Sequence, residues 1–194
     1  MIIKSLDDTI VRAVALIILM GLLVYAYPKF LSSLQEAPNY NLVDEFKGGN
    51  IIGFRYAYVG AWLIILSQIY VLSKYLVIDL KLRIRLGKWL NLHCIINTAG
   101  FTLVLIHAGF PYSFRYWEPF TRVNIFSGLE GLTGVRGILT WIILIVFISG
   151  ILNRYSKNVR VKSVMHKTHF YTILIAYVLA IIHVFISLIF PTTR

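Results

Sequence analysis

Five stretches of the chain are apolar on all sides and are separated by segments that carry nearly all of its charge. They run roughly from Ile10 to Phe30, Tyr56 to Val77, Trp89 to Tyr112, Gly137 to Leu152 and His169 to Phe190. A hydrocarbon core ~30 Å thick needs about 20 residues of helix to cross it. Backbone groups inside lipid must bond within their own segment, so each stretch is predicted to be a helix. The fourth is the shortest, closely bracketed by Arg136 and Arg154. The pattern predicts an all-α integral membrane protein: one domain over residues 1–194, built as a bundle of five transmembrane helices.

Composition agrees. Of 194 residues 58% are hydrophobic and only 14% charged, with a mean hydropathy of +0.76. That excludes an ordinary soluble domain, which needs a charged surface. Near the N-terminus Lys4 is followed by Asp7 and Asp8, and the apolar run from Ala13 ends at Pro28 without a small-residue cleavage site. The run is read as a first anchor rather than a cleaved leader. Cys94 is the single cysteine, which excludes an intrachain disulfide, a Cys-x-x-Cys-His haem attachment and an iron–sulfur cluster built by this chain alone. It is read as a small buried residue.

The net charge of +11 does not point to nucleic acid, because the basic residues sit in short runs between apolar spans, at Lys81 to Lys88 and Arg154 to Lys167. Such runs fix topology and touch anionic lipid. Lys74, Lys81, Arg83, Arg85 and Lys88 flank one loop, and Arg154, Lys157, Arg160, Lys162 and Lys167 another on the same side. The opposite side has Lys29, Lys47, Arg55, Arg115, Arg122 and Arg136, besides the terminal Arg194. The positive-inside rule then puts the chain in the cell membrane with its N-terminus cytoplasmic and its C-terminus outside. On the outer side Phe110, Tyr112, Phe114, Tyr116, Trp117 and Phe120 crowd one loop. They read as an interfacial aromatic belt or as a docking surface for an electron partner.

The candidate chemistry lies in the histidines. His93 and His107 are fourteen residues apart in the third span, and His169 and His183 fourteen apart in the fifth. Fourteen residues is close to four helical turns, so both members of a pair share a face, ~21 Å apart along the axis. Two helices that each present two imidazoles at matching heights can sandwich two flat macrocycles, one near each membrane face. Two axial imidazoles make a six-coordinate iron suited to electron transfer, without an open position for substrate. Zinc fits poorly, because its ligands must converge on one point. The expected cofactors are two haem b, and a quinone is a further candidate. Gly100, seven residues from His93 and from His107, and Ala176, similarly placed between His169 and His183, leave room for a porphyrin edge or for close helix packing. Ala180 lies one turn before His183. Propionates need cationic partners. The candidates are Arg83, Arg85, Lys88 and Lys167 on the inner side, and Arg115, Arg122 and Arg136 on the outer. His166, one turn before His169, reads as a surface residue, a propionate contact or a proton relay.

The segment RLGKWLNLHCIINTAGFTLVLIH, Arg85 to His107, resembles the third helix of the ferric reductase-like transmembrane domain, the haem-binding membrane unit of ferric reductases and NADPH oxidases. VMHKTHFYTILIAYVLAIIH, Val164 to His183, resembles its fifth helix, and GVRGILTWIILIVFISGILNRY the helix between. The resemblance covers roughly Tyr56 to Phe190. It implies that His93 pairs with His169 on an inner haem and His107 with His183 on an outer one. It also implies electrons moving from a cytoplasmic donor to an acceptor outside, a protein or a metal. The cytochrome b of cytochrome bc complexes is similar too, with paired histidines near this spacing; there the first histidine of a pair lies on the outer side. No nucleotide-binding fingerprint occurs. Electrons are therefore expected from a separate flavoprotein or a quinol, with the chain a subunit of a larger redox complex.

Overall fold

A computed structural model describes residues 2–36, 51–71, 74, 86–108 and 135–189. All regular structure among them is helical: α1 Ile2–Tyr25, α2 Tyr27–Gln35, α3 Ile51–Ser67, α4 Leu86–His107, α5 Val135–Tyr155 and α6 Val159–Ile189. Beyond a turn at Gln68, α3 continues, so that its span runs Ile52–Val71. Among the described residues four helices, α3 to α6, are long and apolar enough to cross a membrane; α1 and α2, counted together as one broken span, make a fifth. The described residues are thus all-helical, with the long apolar helices of a multi-pass membrane protein. It packs as two compact units, one of Met1–Tyr27 with Phe114–Arg194 and the other of Pro28–Ser113.

Among the helix limits that differ from the hydropathy pattern, three have a clear local reason. The first apolar stretch does not run unbroken from Ile10 to Phe30. It stops at Ala26, whose amide bonds to the Leu22 carbonyl at 2.9 Å. Pro28 has no N–H to continue the ladder, and its ring would press on the carbonyl four residues back. In the first turn of a new helix the missing N–H costs nothing, so α2 restarts around it.

The second stretch begins five residues early because Arg55 does not end it. Its guanidinium donates to the carbonyls of Ser33 and Glu36, at the C-terminal end of α2. Phe30 stacks on Tyr58 with ring centroids 4.3 Å apart, which seats α2 against α3.

The fifth helix starts ten residues before His169. The Asn158 side-chain oxygen accepts from the amides of Arg160 at 2.9 Å and Val161 at 3.3 Å, an N-cap that lets the helix begin in the basic segment.

Each unit is built on a pair of neighbouring helices. In the second unit α3 and α4 run antiparallel, as their contacts show: Gly53 lies by His107, Gly60 by Gly100 and Ser67 by His93. The approach is backbone on backbone. A Cβ at Gly100 would stand 2.9 Å from the Gly60 carbonyl oxygen and 2.9 Å from Ile64 Cγ1, and one at Gly60 would stand 2.8 Å from the Gly100 oxygen. In lipid, where burial gives helices little reason to associate, small residues of this kind let dispersion and polar contacts do so.

In the first unit a three-residue loop turns α5 into α6. Leu139, Ile143, Val146 and Ser149 are buried along one stripe of α5. The helix α1 lies along α6. There Arg12, absent from the reading of the sequence, donates to the Phe170 carbonyl at 3.3 Å and lies 3.8 Å over the Phe170 ring.

Candidate functional site

The seven-residue spacing in α4 is answered in α3. Gly53, Gly60 and Ser67 are also seven apart, and they meet His107, Gly100 and His93 in turn. Seven residues is close to two turns, so one row of each helix faces the other along its whole length. The space beside Gly100 is taken by the α3 backbone, which is the close-packing use of a small residue there.

His93 sits at one end of this row. Its Nδ1 lies 2.9 Å from the Ser67 carbonyl oxygen. A carbonyl only accepts, so Nδ1 carries the proton and Nε2 is the nitrogen with a lone pair. Asn97, one turn along, places its amide nitrogen 3.2 Å from Nδ1 and 3.1 Å from Nε2. An in-plane position equally far from both nitrogens would collide with the carbon between them. The amide therefore lies over the face of the ring, and the in-plane lone pair of Nε2 points elsewhere. The Asn97 Oδ1 is held by the Ser67 hydroxyl at 2.8 Å, and that hydroxyl also lies 2.6 Å from the Ile64 carbonyl. Gln68 Nε2 donates to Ser67 Oγ at 3.1 Å. Tyr70 closes the other flank, its ring centroid 5.2 Å from that of His93. Beside His93 is a cavity of about 170 Å³ with apolar walls that include Leu66, Ile69, Tyr70, Trp89 and Leu92.

His107, at the other end of α4, repeats the device, with Nδ1 2.9 Å from the Gly53 carbonyl oxygen. In the first unit His169 does so again, with Nδ1 2.9 Å from the Val146 carbonyl oxygen of α5. The Ser149 hydroxyl lies 3.0 Å from the same oxygen and 3.4 Å from Nδ1. Gly150 lies under the ring: a Cβ there would be 3.1 Å from His169 Cε1 and 3.3 Å from Nδ1. His183 is on the same helix, half-buried, fourteen residues on.

A backbone carbonyl on one imidazole nitrogen is the usual second-layer partner of a metal-bound histidine: it fixes the tautomer and the ring orientation and raises the basicity of the other nitrogen. His93, His107 and His169 each have that partner. The donor set of neutral imidazoles suits haem iron. Among the described residues no three His, Cys, Asp or Glu side chains converge as a metal-binding group.

The other candidate residues divide. Cys94 is a half-buried free thiol. Lys88, His166 and Lys167 are exposed, and Ala176 and Ala180 half-buried. Arg83, Arg85, Arg115 and Arg122, and the aromatic loop from Phe110 to Phe120, lie outside the described residues, as does the side chain of Arg136. Reading the sequence missed Ser67, Asn97, Val146 and Gly150. Two signals were available: the matching seven-residue rows, and an Asn one turn from a candidate ligand. Compared with protein-family models, curated proteins and solved structures, the chain matches none.

Proposed function

We propose that the chain is a di-haem b-type membrane cytochrome that moves electrons across the cell membrane. It would be ferric reductase-like in its ligand arrangement and fed by a separate donor. The observation that carries this reading is the repeated seating of histidines: His93, His107 and His169 each give Nδ1–H to a carbonyl of the adjacent helix, within a pattern of two fourteen-residue pairs. Such a seat restricts the ring through a carbonyl of the neighbouring helix, which lowers the entropy lost when the other nitrogen binds. Haem, when bound, supplies reversible one-electron chemistry at iron.

The residues of the chain have separate tasks in this reading. The four imidazoles bind as axial ligands, in the pairs expected from the sequence. Ser67, Gly53 and Val146 orient the rings through their carbonyls. The apolar flanks of α4 and α6 exclude water, which favours outer-sphere electron transfer over reaction with solvent. Quinol-linked service in a respiratory complex is the second reading. It draws on the cavity beside His93, whose apolar and aromatic walls suit a quinone ring as well as a porphyrin edge.

Purified protein from haem-replete cells is expected to show a reversible b-type spectrum with about two haems per chain. A colourless product overturns the proposal. Reduction by a quinol analogue, blocked by a quinone-site inhibitor, selects the second reading; reduction by a cytoplasmic flavoprotein alone selects the first.

A further inference from the structure

We propose that the groove between the end of α5 and the start of α6 binds the phosphate of an anionic phospholipid. This site is independent of the haem reading. The groove has a volume of about 370 Å³ and is lined by Asn153, Val159, Lys162, Ser163 and His166. On α6 these residues fall at positions 159, 162, 163 and 166, one helical face. Their ammonium, hydroxyl, amide and imidazole groups all donate hydrogen bonds, and none is a carboxylate.

The surroundings carry one sign of charge. Arg154, Lys157, Arg160 and Lys167 lie close by in sequence, and no Asp or Glu occurs from residue 131 to 194. The first amides of α6 are not the attraction, since the Asn158 side chain already caps those of Arg160 and Val161. The donors are the side chains themselves.

Depth selects a lipid over a free anion. Asn153 belongs to the membrane span Ile138–Tyr155. His166 lies one turn before His169, where the apolar run of α6 begins. The groove extends from that level outward by about 5–10 Å, through the headgroup layer, which adds about 5–8 Å to each face of a bilayer. Val159, 80% exposed at the outer rim, adds no charge that would repel the phosphate. An anionic headgroup gains about 1 kcal/mol per nearby Lys or Arg at such a surface.

The test is native mass spectrometry of the full chain from micelles doped with phosphatidylglycerol or phosphatidylcholine. The wild type is expected to retain phosphatidylglycerol at least about fivefold better. Lys162→Ala combined with Ser163→Ala is expected to abolish that preference, and Asn153→Leu on its own is expected to lower the retention of both lipids. Lys157→Ala removes the same charge from the connecting loop, outside the groove, and is expected to preserve it. Circular dichroism and gel filtration check that each variant keeps its helices. Equal retention of the two lipids overturns the proposal. So does an equal loss in Lys157→Ala, which means diffuse attraction, and so does displacement of the lipid by inorganic phosphate alone, which means a free-anion site. Capture of an acidic protein without lipid retention also overturns it.

Discussion

The α3–α4 and α5–α6 pairs solve the same problem with different materials. Each must hold a histidine of the second helix against the backbone of the first. Around His93 the means are polar: the Ser67 carbonyl takes the ring proton, and the Asn97 amide, itself held by Ser67, lies over the ring face. Around His169 the means are an absence. Gly150 presents bare backbone, the ring lies on it, and the Val146 carbonyl takes the proton. A hydrogen-bond network and a missing side chain both restrict an imidazole, but they fail differently. The first fails by losing a polar atom and the second by gaining a carbon.

The contrast can be broken at several points. The largest effect is expected where the two sites are alike. His93→Ala and His169→Ala should each lower the haem content to about half, or less if the chain misfolds, by pyridine haemochromogen assay. Full haem in either variant refutes the common role. Next comes the glycine crossing. Gly100→Val should cost ~3 kcal/mol, because its β-carbon meets a carbonyl rather than a side chain that can turn away; steric-trap or SDS unfolding in bicelles measures it. Gly150→Ala should cost less, ~1–2 kcal/mol by the same assay, since the His169 ring can tilt. That tilt should also broaden the low-spin electron paramagnetic signal of one haem. An unbroadened spectrum means the glycine does not seat the ligand.

Asn97→Leu tests the polar side. Interhelical hydrogen bonds in membranes average about 0.6 kcal/mol, so stability should fall only slightly. The midpoint potential of one haem should shift while the other stays, and restoring an amide with Asn97→Gln should bring it part of the way back. Ser149→Ala is expected to do least, within ~0.5 kcal/mol. Its hydroxyl bonds mainly within its own helix, and the Val146 carbonyl it leaves still accepts from His169.

The spans and the candidate ligands were legible in the sequence because each depends on composition or on one spacing. Helical character followed from the apolar runs, and the histidine pairs from two intervals of fourteen. The break at Ala26 was half visible, since Pro28 marks it, yet hydropathy alone runs through to Phe30. The early start of α6 was not visible to hydropathy at all: Asn158 caps a segment too polar to count as membrane. The seats of the histidines were hidden for a different reason. Carbonyl oxygens carry no residue identity, so Ser67, Gly53 and Val146 do their work through atoms every residue has. Only the pairing of helices reveals which carbonyl faces which ring.

The facing rows of α3 and α4 act as a vernier. Each row has its small or ring-bearing residues every second turn, and where Gly60 meets Gly100 there is no slack for a β-carbon on either helix. Sliding one helix by a single residue would drive a side chain into a carbonyl, so the pair has one axial setting. The depths of His93 and His107 are then dictated by main-chain atoms of the facing helix, which act as a ruler that side-chain changes outside those rows leave in place.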